Sequence, residues 1–396
     1  MTFEEFELDP RCHHVLKAAG ITEPTPIQEQ VIAPALAGKD LIATAQTGTG
    51  KTLGFVLPCL SRLAQEKNRR NRMLVLTPTR ELCVQVESVV RDFAKALHLR
   101  SALIYGGVAM GQQFAQLRGG CDIVVATPGR LLDHMGRGTV LFSELEILVL
   151  DEADRMLDMG FLPDIKRILG KLPRDRQTLM FSATFPDELK RLTREMLRDP
   201  ERVAVGGISR PVDTVRQIVY PVRQEEKSRI LLELLRDNPV ESAIIFLRTK
   251  ERTDRLGKIL ERAGYNPAVF HGDISQKHRE LALNGFRKGK YNLLVATDVA
   301  ARGLDVEGVS HVINYDIPPT ADDYIHRIGR TARAQREGDA ITFVCPTDHA
   351  PLAAIEQALG YNLPQKEYPG APPILSMYTP PGKARPRARR SMFRRR

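Results

Sequence analysis

A glycine-rich segment that ends in lysine and threonine has the clearest chemistry in this 396-residue sequence: Ala45-Gln46-Thr47-Gly48-Thr49-Gly50-Lys51-Thr52. Gly48 and Gly50 allow a tight turn that points backbone N–H groups at phosphate oxygens, and a helix beginning there adds a partial positive charge. Lys51 supplies a point charge to the outer phosphates, and Thr52 offers a hydroxyl to a magnesium ion. Ala45 stands where the first glycine is usual. The segment predicts a nucleoside triphosphate site.

Acidic residues follow another apolar run, Ile147 to Leu150, and form the sequence Asp151-Glu152-Ala153-Asp154. An acid at the end of such a strand, in a chain with a phosphate loop, is typical of a residue that holds magnesium, here Asp151 through the ion's water shell. Glu152 is then placed to polarise the attacking water as general base. A solvated acidic turn is the ordinary alternative, which the upstream loop disfavours.

Polar side chains close to these groups predict two further functions. The apolar run Gln177 to Phe181 delivers Ser182-Ala183-Thr184, whose two hydroxyls could relay the state of the phosphate. A rigid turn ahead of a helix carries Gln28, whose amide can both donate to and accept from one base edge. Gln28 could therefore distinguish ATP from GTP, although a single glutamine is more often a solvated side chain.

Short apolar runs alternate with helical segments along the chain, which predicts a parallel sheet with ligands at the carboxyl ends of its strands. Met73 to Thr77 and Asp122 to Ala126 are two such runs. The first leads into Pro78-Thr79-Arg80 and the second into Thr127-Pro128-Gly129-Arg130. Arginine beside small residues suits close approach to phosphates. A second alternation from Ala243 repeats the architecture without the phosphate loop.

Arginines concentrate in His326-Arg327-Ile328-Gly329-Arg330-Thr331-Ala332-Arg333, which we predict to be helical. Arg330 and Arg333, three positions apart, would share a face with Arg327 nearby. Such cations suit an anion opposite, and an arginine finger contributes roughly 10³ to 10⁵ in rate to phosphoryl transfer. A basic surface helix is the ordinary alternative.

The order of these motifs resembles that of the DEAD-box RNA helicases, and the resemblance extends to about residue 360. It rests on seven segments: Gly20 to Gln28, Ala45 to Thr52, Pro78 to Leu82, Gly106-Gly107, Thr127 to Arg130, Asp151 to Asp154 and Ser182 to Thr184. The resemblance implies an α/β fold of two tandem RecA-like domains, each a parallel sheet covered by helices. It also implies an ATP-dependent RNA helicase that uses ATP and Mg²⁺. The compact chain is similar to bacterial members.

The resemblance also implies roles for individual residues. Catalysis falls to Lys51, Asp151, Glu152, Arg330 and Arg333. ATP binding adds Phe3, Gln28, Ala45, Gln46, Thr47, Gly48, Thr49, Gly50, Thr52 and Asp305, with Ser182, Thr184 and His326 as coupling residues. The RNA-binding set is Pro78, Thr79, Arg80, Gly107, Thr127, Gly129, Arg130, Gln276, Arg279, Thr297 and Gly303. Ile21 departs from the family pattern, since an aromatic residue commonly packs on adenine there, and Gln335 replaces a frequent glycine.

Composition sets the domain limits and the general class of protein. We expect an N-terminal domain over 1–205, a linker over 206–213, a C-terminal domain over 214–365 and a disordered tail over 366–396. Eight of the ten net positive charges lie between Lys383 and Arg396, which leaves +2 for the rest of the chain. Such a tail usually binds nucleic acid, with simple solubilisation as the alternative.

Several protein classes are disfavoured by the sequence. No run approaches the roughly 18 apolar residues of a membrane span, and the N-terminus lacks a signal peptide pattern, so we expect a cytoplasmic protein with no membrane partner. The five scattered cysteines are mostly expected to be core residues.

We therefore expect an enzyme that couples ATP hydrolysis to sequence-nonspecific RNA binding and to unwinding of short duplexes or remodelling of RNA–protein complexes, acting as a monomer. Two alternatives stay open. One is an ATP-gated RNA clamp or annealing protein that works through the basic tail. The other is a DNA helicase, since sequence does not reveal contacts to the ribose hydroxyl.

Overall fold

In the computed structural model, the described residues are 1–45, 48–65, 70–205, 215–238, 240–301, 306, 308–331 and 338–369. The predicted linker over 206–213 lies outside them, as does most of the predicted tail, from residue 370 onward. The chain forms two compact units, one built on each of two sheets.

The first unit contains a seven-stranded sheet whose strands are short and, apart from the two edge strands, almost wholly buried. The strands are β1 Leu41–Thr44, β2 Met73–Leu76, β3 Ser101–Ile104, β4 Ile123–Ala126, β5 Ile147–Leu150, β6 Gln177–Ser182 and β7 Glu201–Ala204. Their order is β3-β4-β2-β5-β6-β1-β7, and the pairings are parallel. Continuous apolar strands of this kind form because helices cover both faces of a parallel sheet.

Nine α-helices lie within the described residues of the range 1–205: α1 Pro10–Ala18, α2 Pro26–Leu36, α3 Lys51–Leu63, α4 Arg80–Ala96, α5 Met110–Arg118, α6 Pro128–Gly136, α7 Ala153–Asp158, α8 Leu162–Leu169 and α9 Asp187–Met196. Successive strand residues face opposite sides. Leu41 and Ala43 therefore pack in the core with α1 to α4, whereas Ile42 packs in the core with α6, α8 and α9.

The second unit is built on a six-stranded sheet: β8 Val215–Pro221, β9 Ala243–Leu247, β10 Pro267–Phe270, β11 Leu293–Thr297, β12 His311–Asn314 and β13 Gly338–Val344. The helices in this part of the chain are α10 Lys227–Asp237, α11 Lys250–Arg262, α12 Gln276–Arg287, α13 Asp298–Ala301, α14 Ala321–Ile328 and α15 His349–Leu359. The strand order β10-β11-β9-β12-β13-β8 repeats that of the first sheet without a counterpart of β7. Two parallel sheets covered by helices confirm the expected fold class.

Two smaller predictions can also be compared with the structure. All five cysteines are buried and free, as expected of core residues, and burial raises the pKa of Cys59 and Cys83 to about 12. No helix among the described residues combines the length and apolar character that a membrane crossing requires.

Candidate functional site

The carboxyl edge of the first sheet collects most of the residues singled out in the sequence. Gly106-Gly107 follow β3, Thr127 follows β4, and Pro78-Thr79 follow β2. Asp151 follows β5, Ser182 ends β6, and Ala45 follows β1. Because the strands are parallel and adjacent, the predicted RNA-binding residues take one side of this edge and the predicted nucleotide-binding residues take the other.

The phosphate loop has the backbone that its glycines predict. Gly48 and Gly50 have φ values of 79° and 88°, in the left-handed region that glycine enters without strain. A Cβ on Gly50 would lie 2.5 Å from Nε2 of Gln28, so the close approach of that side chain also requires glycine. Helix α3 begins at Lys51, at the end of the glycine-rich segment as predicted. Gln46 and Thr47 lie outside the described residues.

Lys51 and Asp151 are the two buried charged residues associated with this loop. Lys51 is buried, and its Nζ donates to the carbonyl of Ala45 at 2.9 Å. Asp151 is buried as well, and its Oδ1 accepts from the N–H of Glu152 at 3.0 Å. Burial raises the pKa of Asp151 to about 6, and the charge of Lys51 opposes this rise. The carboxylate therefore sits where an added cation would stabilise its charged form.

Asp151 and Thr52 are the residues predicted to hold Mg²⁺, and their donor chemistry fits that ion. Within the described chain, no three histidine, cysteine or acidic side chains cluster as a ready-made metal site. Mg²⁺ needs no such cage, because it keeps several waters and commonly takes one or two carboxylates together with substrate phosphates. A desolvated carboxylate from Asp151 and a hydroxyl from Thr52 are donors that suit that mode of binding.

Glu152 adopts a strained backbone conformation at the start of α7, with φ 51° and ψ 54°. For a residue other than glycine, such a conformation costs about 1–3 kcal/mol and is found mainly at functional sites. Its Oε2 accepts from Nη1 of Arg155 at 2.7 Å, and both side chains are about nine-tenths buried. Arg155, which the sequence reasoning missed, thus orients the predicted general base from the next turn of helix.

Asp154 connects the loop after β5 to the end of β6. Its Oδ2 accepts from the N–H of Ala183 at 3.1 Å, the N–H of Thr184 at 2.7 Å and the hydroxyl of Thr184 at 2.9 Å. The hydroxyl of Ser182 accepts from the N–H of Asp154 at 3.1 Å and donates to the carbonyl of Thr184 at 2.7 Å. The predicted coupling hydroxyls are therefore bonded directly to the acidic loop.

Gln28 is bonded to the phosphate loop. Its Nε2 donates to the carbonyl of Gly50 at 2.8 Å, and its Oε1 accepts from the N–H of Thr25 at 2.9 Å. The Thr25 hydroxyl donates to the carbonyl of Thr49 at 2.7 Å. Reading of adenine by Gln28 stays a prediction, as does the ATP contact of Phe3, which is 3% exposed and packs in the core.

The predicted RNA side brings Arg80, Gly107 and Arg130 together. A Cβ on Gly107 would lie 2.1 Å from Nη1 of Arg80, so this glycine lets the guanidinium cross the turn. Arg130 donates from Nη1 to the carbonyl of Val108 at 3.0 Å. The hydroxyl of Thr79 caps α4 by accepting from the N–H of Leu82 at 3.3 Å.

In the second half of the chain, predicted RNA-binding residues lie at the ends of β11 and α12. Thr297 ends β11 and is buried. Gln276 begins α12 and donates to Oε1 of Glu280 at 3.2 Å, and the guanidinium of Arg279 lies 4.8 Å from the centre of the Phe270 ring. Gly303 lies outside the described residues, as does Asp305, which the resemblance assigns to ATP binding.

The predicted arginine helix is wrong in its extent. Helix α14 carries His326 and ends at Ile328, and Arg330 follows Gly329 beyond the helix. Arg327 does not join an anion-facing cluster, because its Nη1 donates to Oδ1 of Asn314 at 2.9 Å and to the carbonyl of Asp316 at 2.7 Å. The helix ends with Gly329 as its C-cap residue, whereas the spacing of the arginines predicts that it continues. Arg330 is buried, and Arg333 lies outside the described residues.

Comparisons with known proteins agree with this geometry. The family model described as "DEAD/DEAH box helicase" matches residues 25–192, and "Helicase conserved C-terminal domain" matches residues 226–335. The chain is 45% identical over 355 residues to the ATP-dependent RNA helicase CshA of Listeria monocytogenes, covering 90% of this chain and 68% of the relative. It is 44% identical over 373 residues to the ATP-dependent RNA helicase RhlB of Xanthomonas axonopodis, covering 92% of this chain and 65% of the relative.

Solved structures of similar architecture include complexes with RNA. The DEAD-box helicase Mss116 bound to ssRNA and UDP-BeF aligns with a TM-score of 0.84 at 29% identity, covering 95% of this chain and 80% of that chain. S. cerevisiae Dbp5 bound to RNA and ADP BeF3 aligns with a TM-score of 0.81 at 32% identity, covering 93% of this chain and 95% of that chain.

Proposed function

We propose, from the premise that this chain belongs to the DEAD-box family of ATP-dependent RNA helicases, that it opens short RNA duplexes or remodels RNA–protein complexes locally. The chain is an RNA-dependent ATPase. The observation that carries the proposal is the shared edge of the first sheet. Arg80 and Arg130 follow neighbouring strands on one side of it, and Lys51 and Asp151 lie on the other.

The proposed grip on RNA is mainly to phosphate and sugar. Arg80, Gly107, Thr127 and Arg130 offer guanidinium groups, hydroxyls and closely approachable backbone, which suit a sugar–phosphate chain better than base edges. A Cβ on Gly129 would meet no atom within 4 Å, which leaves room for backbone approach there. Such contacts carry little sequence information, so we expect binding to be largely independent of sequence.

The proposed hydrolysis uses residues around the phosphate loop. Lys51 neutralises charge on the outer phosphates of ATP, and Glu152, oriented by Arg155, takes a proton from the attacking water. Asp151 and Thr52 would hold Mg²⁺, which supplies charge neutralisation on the phosphates when bound. By the family pattern, Arg330, Arg333 and Asp305 also serve ATP, and His326 serves coupling.

The proposed coupling runs through Asp154, because its carboxylate binds the segment Ser182 to Thr184 directly. Asp151 and Glu152 lie only three and two residues before Asp154 in the chain. If ATP and RNA favour the same conformation, each must tighten binding of the other by the same factor.

The proposed function is tested with short RNA duplexes and the full chain. We expect ATP to drive strand separation, and we expect matched single-stranded RNA, but not DNA, to stimulate ATP hydrolysis. Equal stimulation by both would remove the RNA assignment. Deletion of residues 383–396 distinguishes this function from the alternative of an annealing protein. An annealing protein that works through its tail would lose annealing activity, whereas a helicase would keep RNA-stimulated ATPase activity.

A further inference from the structure

A network of buried polar side chains contacts the predicted RNA-binding residue Arg130 in the first unit, and the proposed mechanism does not use it. Its members are Gln113 on α5, which is 3% exposed, and His134 on α6, which is fully buried. A buried polar side chain lowers the stability of the fold unless it is hydrogen-bonded. The hydrogen-bond partners of Gln113 and His134 therefore indicate the function of these two residues.

The partners of Gln113 fix its orientation. Its Nε2 donates to the carbonyl of Tyr105 at 2.8 Å, and its Oε1 accepts from Nη1 of Arg130 at 3.3 Å. Exchanging amide oxygen and nitrogen would set oxygen against the Tyr105 carbonyl and nitrogen against the Arg130 donor. The amide oxygen therefore faces Arg130.

The orientation of Gln113 in turn fixes the tautomer of His134. The Nε2 of His134 lies 3.1 Å from Oε1 of Gln113, which can only accept, so Nε2 must carry the hydrogen. The Nδ1 then carries no hydrogen and lies 2.9 Å from the hydroxyl of Thr139, which also donates to the carbonyl of His134 at 3.0 Å. Burial, followed by the charge of Arg130, lowers the pKa of His134, which agrees with this neutral form.

These bonds join the turn after β3 to Arg130 as one assembly. Gln113 holds the carbonyl of Tyr105 on one side of Gly106-Gly107, and Arg130 holds the carbonyl of Val108 on the other at 3.0 Å. The same Nη1 of Arg130 is shared with Gln113, whose oxygen His134 fixes. The ring of Phe114 packs edge-on against His134, with centroids 5.1 Å apart.

We propose that His134 and Gln113 are positioning residues that hold the Gly106-Gly107 turn and Arg130 in one RNA-binding geometry. This inference rests on the proposed function, in which Gly107 and Arg130 contact RNA. Neither side chain touches RNA itself. They restrict the motion of the turn and of the Arg130 guanidinium before RNA binds, so less conformational entropy is lost on binding.

A matched pair of substitutions at His134 tests the inference. The amide of His134→Gln can donate from the position of the lost Nε2, whereas that of His134→Asn reaches only the position of Nδ1, toward Thr139. We expect His134→Asn to raise the RNA concentration for half-maximal ATPase about fivefold to tenfold. His134→Gln should stay within about twofold of wild type. For both variants, kcat at saturating RNA and KM for ATP should change much less.

Thermal melting of the same variants excludes a purely structural role. If His134→Gln and His134→Asn melt alike and need the same RNA concentration as wild type, the pair only stabilises the fold and the inference is lost. If His134→Asn does not fold, Gln113→Leu removes the bonds to Tyr105 and Arg130 at similar volume. The same rise in RNA requirement is expected of it, and an unchanged requirement would overturn the inference.

Arg130→Ala separates failure of this inference from failure of the proposed function. If Arg130→Ala leaves the RNA requirement unchanged, the RNA role of Arg130 is wrong. If it weakens RNA binding while His134→Asn does not, the proposed function stands and the positioning role falls. Because His134 acts partly through Arg130, the combined loss in the double variant His134→Asn with Arg130→Ala should be smaller than the sum of the two single losses, and additive losses would contradict the inference.

Discussion

The two sheets of this protein share a strand order, yet their carboxyl edges hold a lysine and an aspartate in opposite ways. Lys51 begins the helix after β1, and Lys227 begins the helix after β8, the strand in the equivalent position. Asp151 follows β5, and Asp316 follows the equivalent β12 after one extra residue. The backbone N–H groups of both aspartates donate to the neighbouring strand, to the carbonyls of Leu76 and Phe246.

In the second unit, these charges satisfy each other. Lys227 donates to Oδ1 of Asp316 at 3.1 Å and to the carbonyl of Tyr315 at 2.8 Å. Arg252 adds a second cation to the same carboxylate at 2.8 Å, and the N–H of Arg248 adds a further donor at 3.1 Å. This edge is an internal ion cluster, with Lys227 about 1% exposed.

In the first unit, the lysine instead bonds a loop carbonyl. Lys51 reaches the carbonyl of Ala45, and the pKa of Asp151 is raised by burial, so both charges are available to a ligand that carries phosphates and a cation. The segments before the two lysines differ accordingly. Gly48 and Gly50 precede Lys51, whereas Glu225 and Glu226 precede Lys227 and would repel phosphate. We therefore propose that nucleotide binds at the first edge, where the lysine bonds a loop carbonyl, and not at the second edge, where lysine and aspartate form an ion cluster.

The largest expected effect of a single substitution is on the chemistry of the first edge. Glu152→Gln removes the proposed base without changing side-chain volume, so hydrolysis of ATP should fall by about 10² to 10⁴ while ATP and RNA still bind. Single-turnover hydrolysis and RNA binding with ATP measure the two effects. Near-normal turnover would mean that another group activates the water.

The second edge is expected to respond in stability. Asp316→Asn removes the carboxylate that compensates Lys227 and Arg252, which should lower the free energy of unfolding by on the order of 3 kcal/mol. Urea denaturation measures this loss. KM for ATP, measured where the variant is folded, should match wild type, and a large rise in KM would contradict the comparison.

A smaller effect is expected at Gln28, which holds the phosphate loop through the carbonyl of Gly50. Gln28→Ala should weaken ATP binding about tenfold, because a buried carbonyl loses its donor. Competition between ATP and GTP shows whether Gln28 also reads the base. Equal loss for both nucleotides would limit Gln28 to the loop contact, and a loss for ATP alone would indicate base recognition.

The smallest effect concerns pH. Burial and Arg130 lower the pKa of His134 in the folded chain below its ordinary 6.5, with Asp133 acting in the opposite sense and Arg137 in the same sense as Arg130. The unfolded chain then binds the extra proton first, so the stability from His134 is present above pH 6.5 and is lost as pH falls through the folded pKa. The melting temperature of wild type should therefore fall more between pH 7.5 and 5.5 than that of His134→Gln. Parallel curves would show that His134 does not titrate in this way.

Contiguous motifs made the first edge predictable from sequence. Asp151 and Ser182 directly follow apolar runs, so the same short segments predict both the strand and the site residue, and helix α3 begins directly after the glycine-rich segment, as predicted. The structure shows where these residues lie, but their roles in ATP binding, catalysis and RNA binding stay predictions. Phe3, expected to serve ATP, lies in the core, a location that spacing alone could not reveal.

Long-range pairs explain what sequence reasoning missed. Lys227 meets Asp316 across 89 positions, and His134 meets Gln113 across 21, with no local pattern to connect either pair. The spacing of the arginines predicts a helix through Arg333, but spacing does not show where a helix ends. In the structure, helix α14 ends at Ile328. The predicted arginine cluster therefore includes Arg327, whereas in the structure Arg327 bonds Asn314 and the carbonyl of Asp316.

The most direct test of the account exchanges each lysine for methionine, in Lys51→Met and Lys227→Met, and measures ATP affinity and melting temperature for both. If only the first edge binds phosphate, Lys51→Met should lose ATP binding and RNA-stimulated hydrolysis while melting close to wild type. Under the same claim, the second variant should behave differently. Lys227→Met should melt at a lower temperature while the folded protein binds ATP with unchanged affinity. Loss of ATP binding in Lys227→Met, or its retention in Lys51→Met, would contradict the claim that only the first edge is built for phosphate.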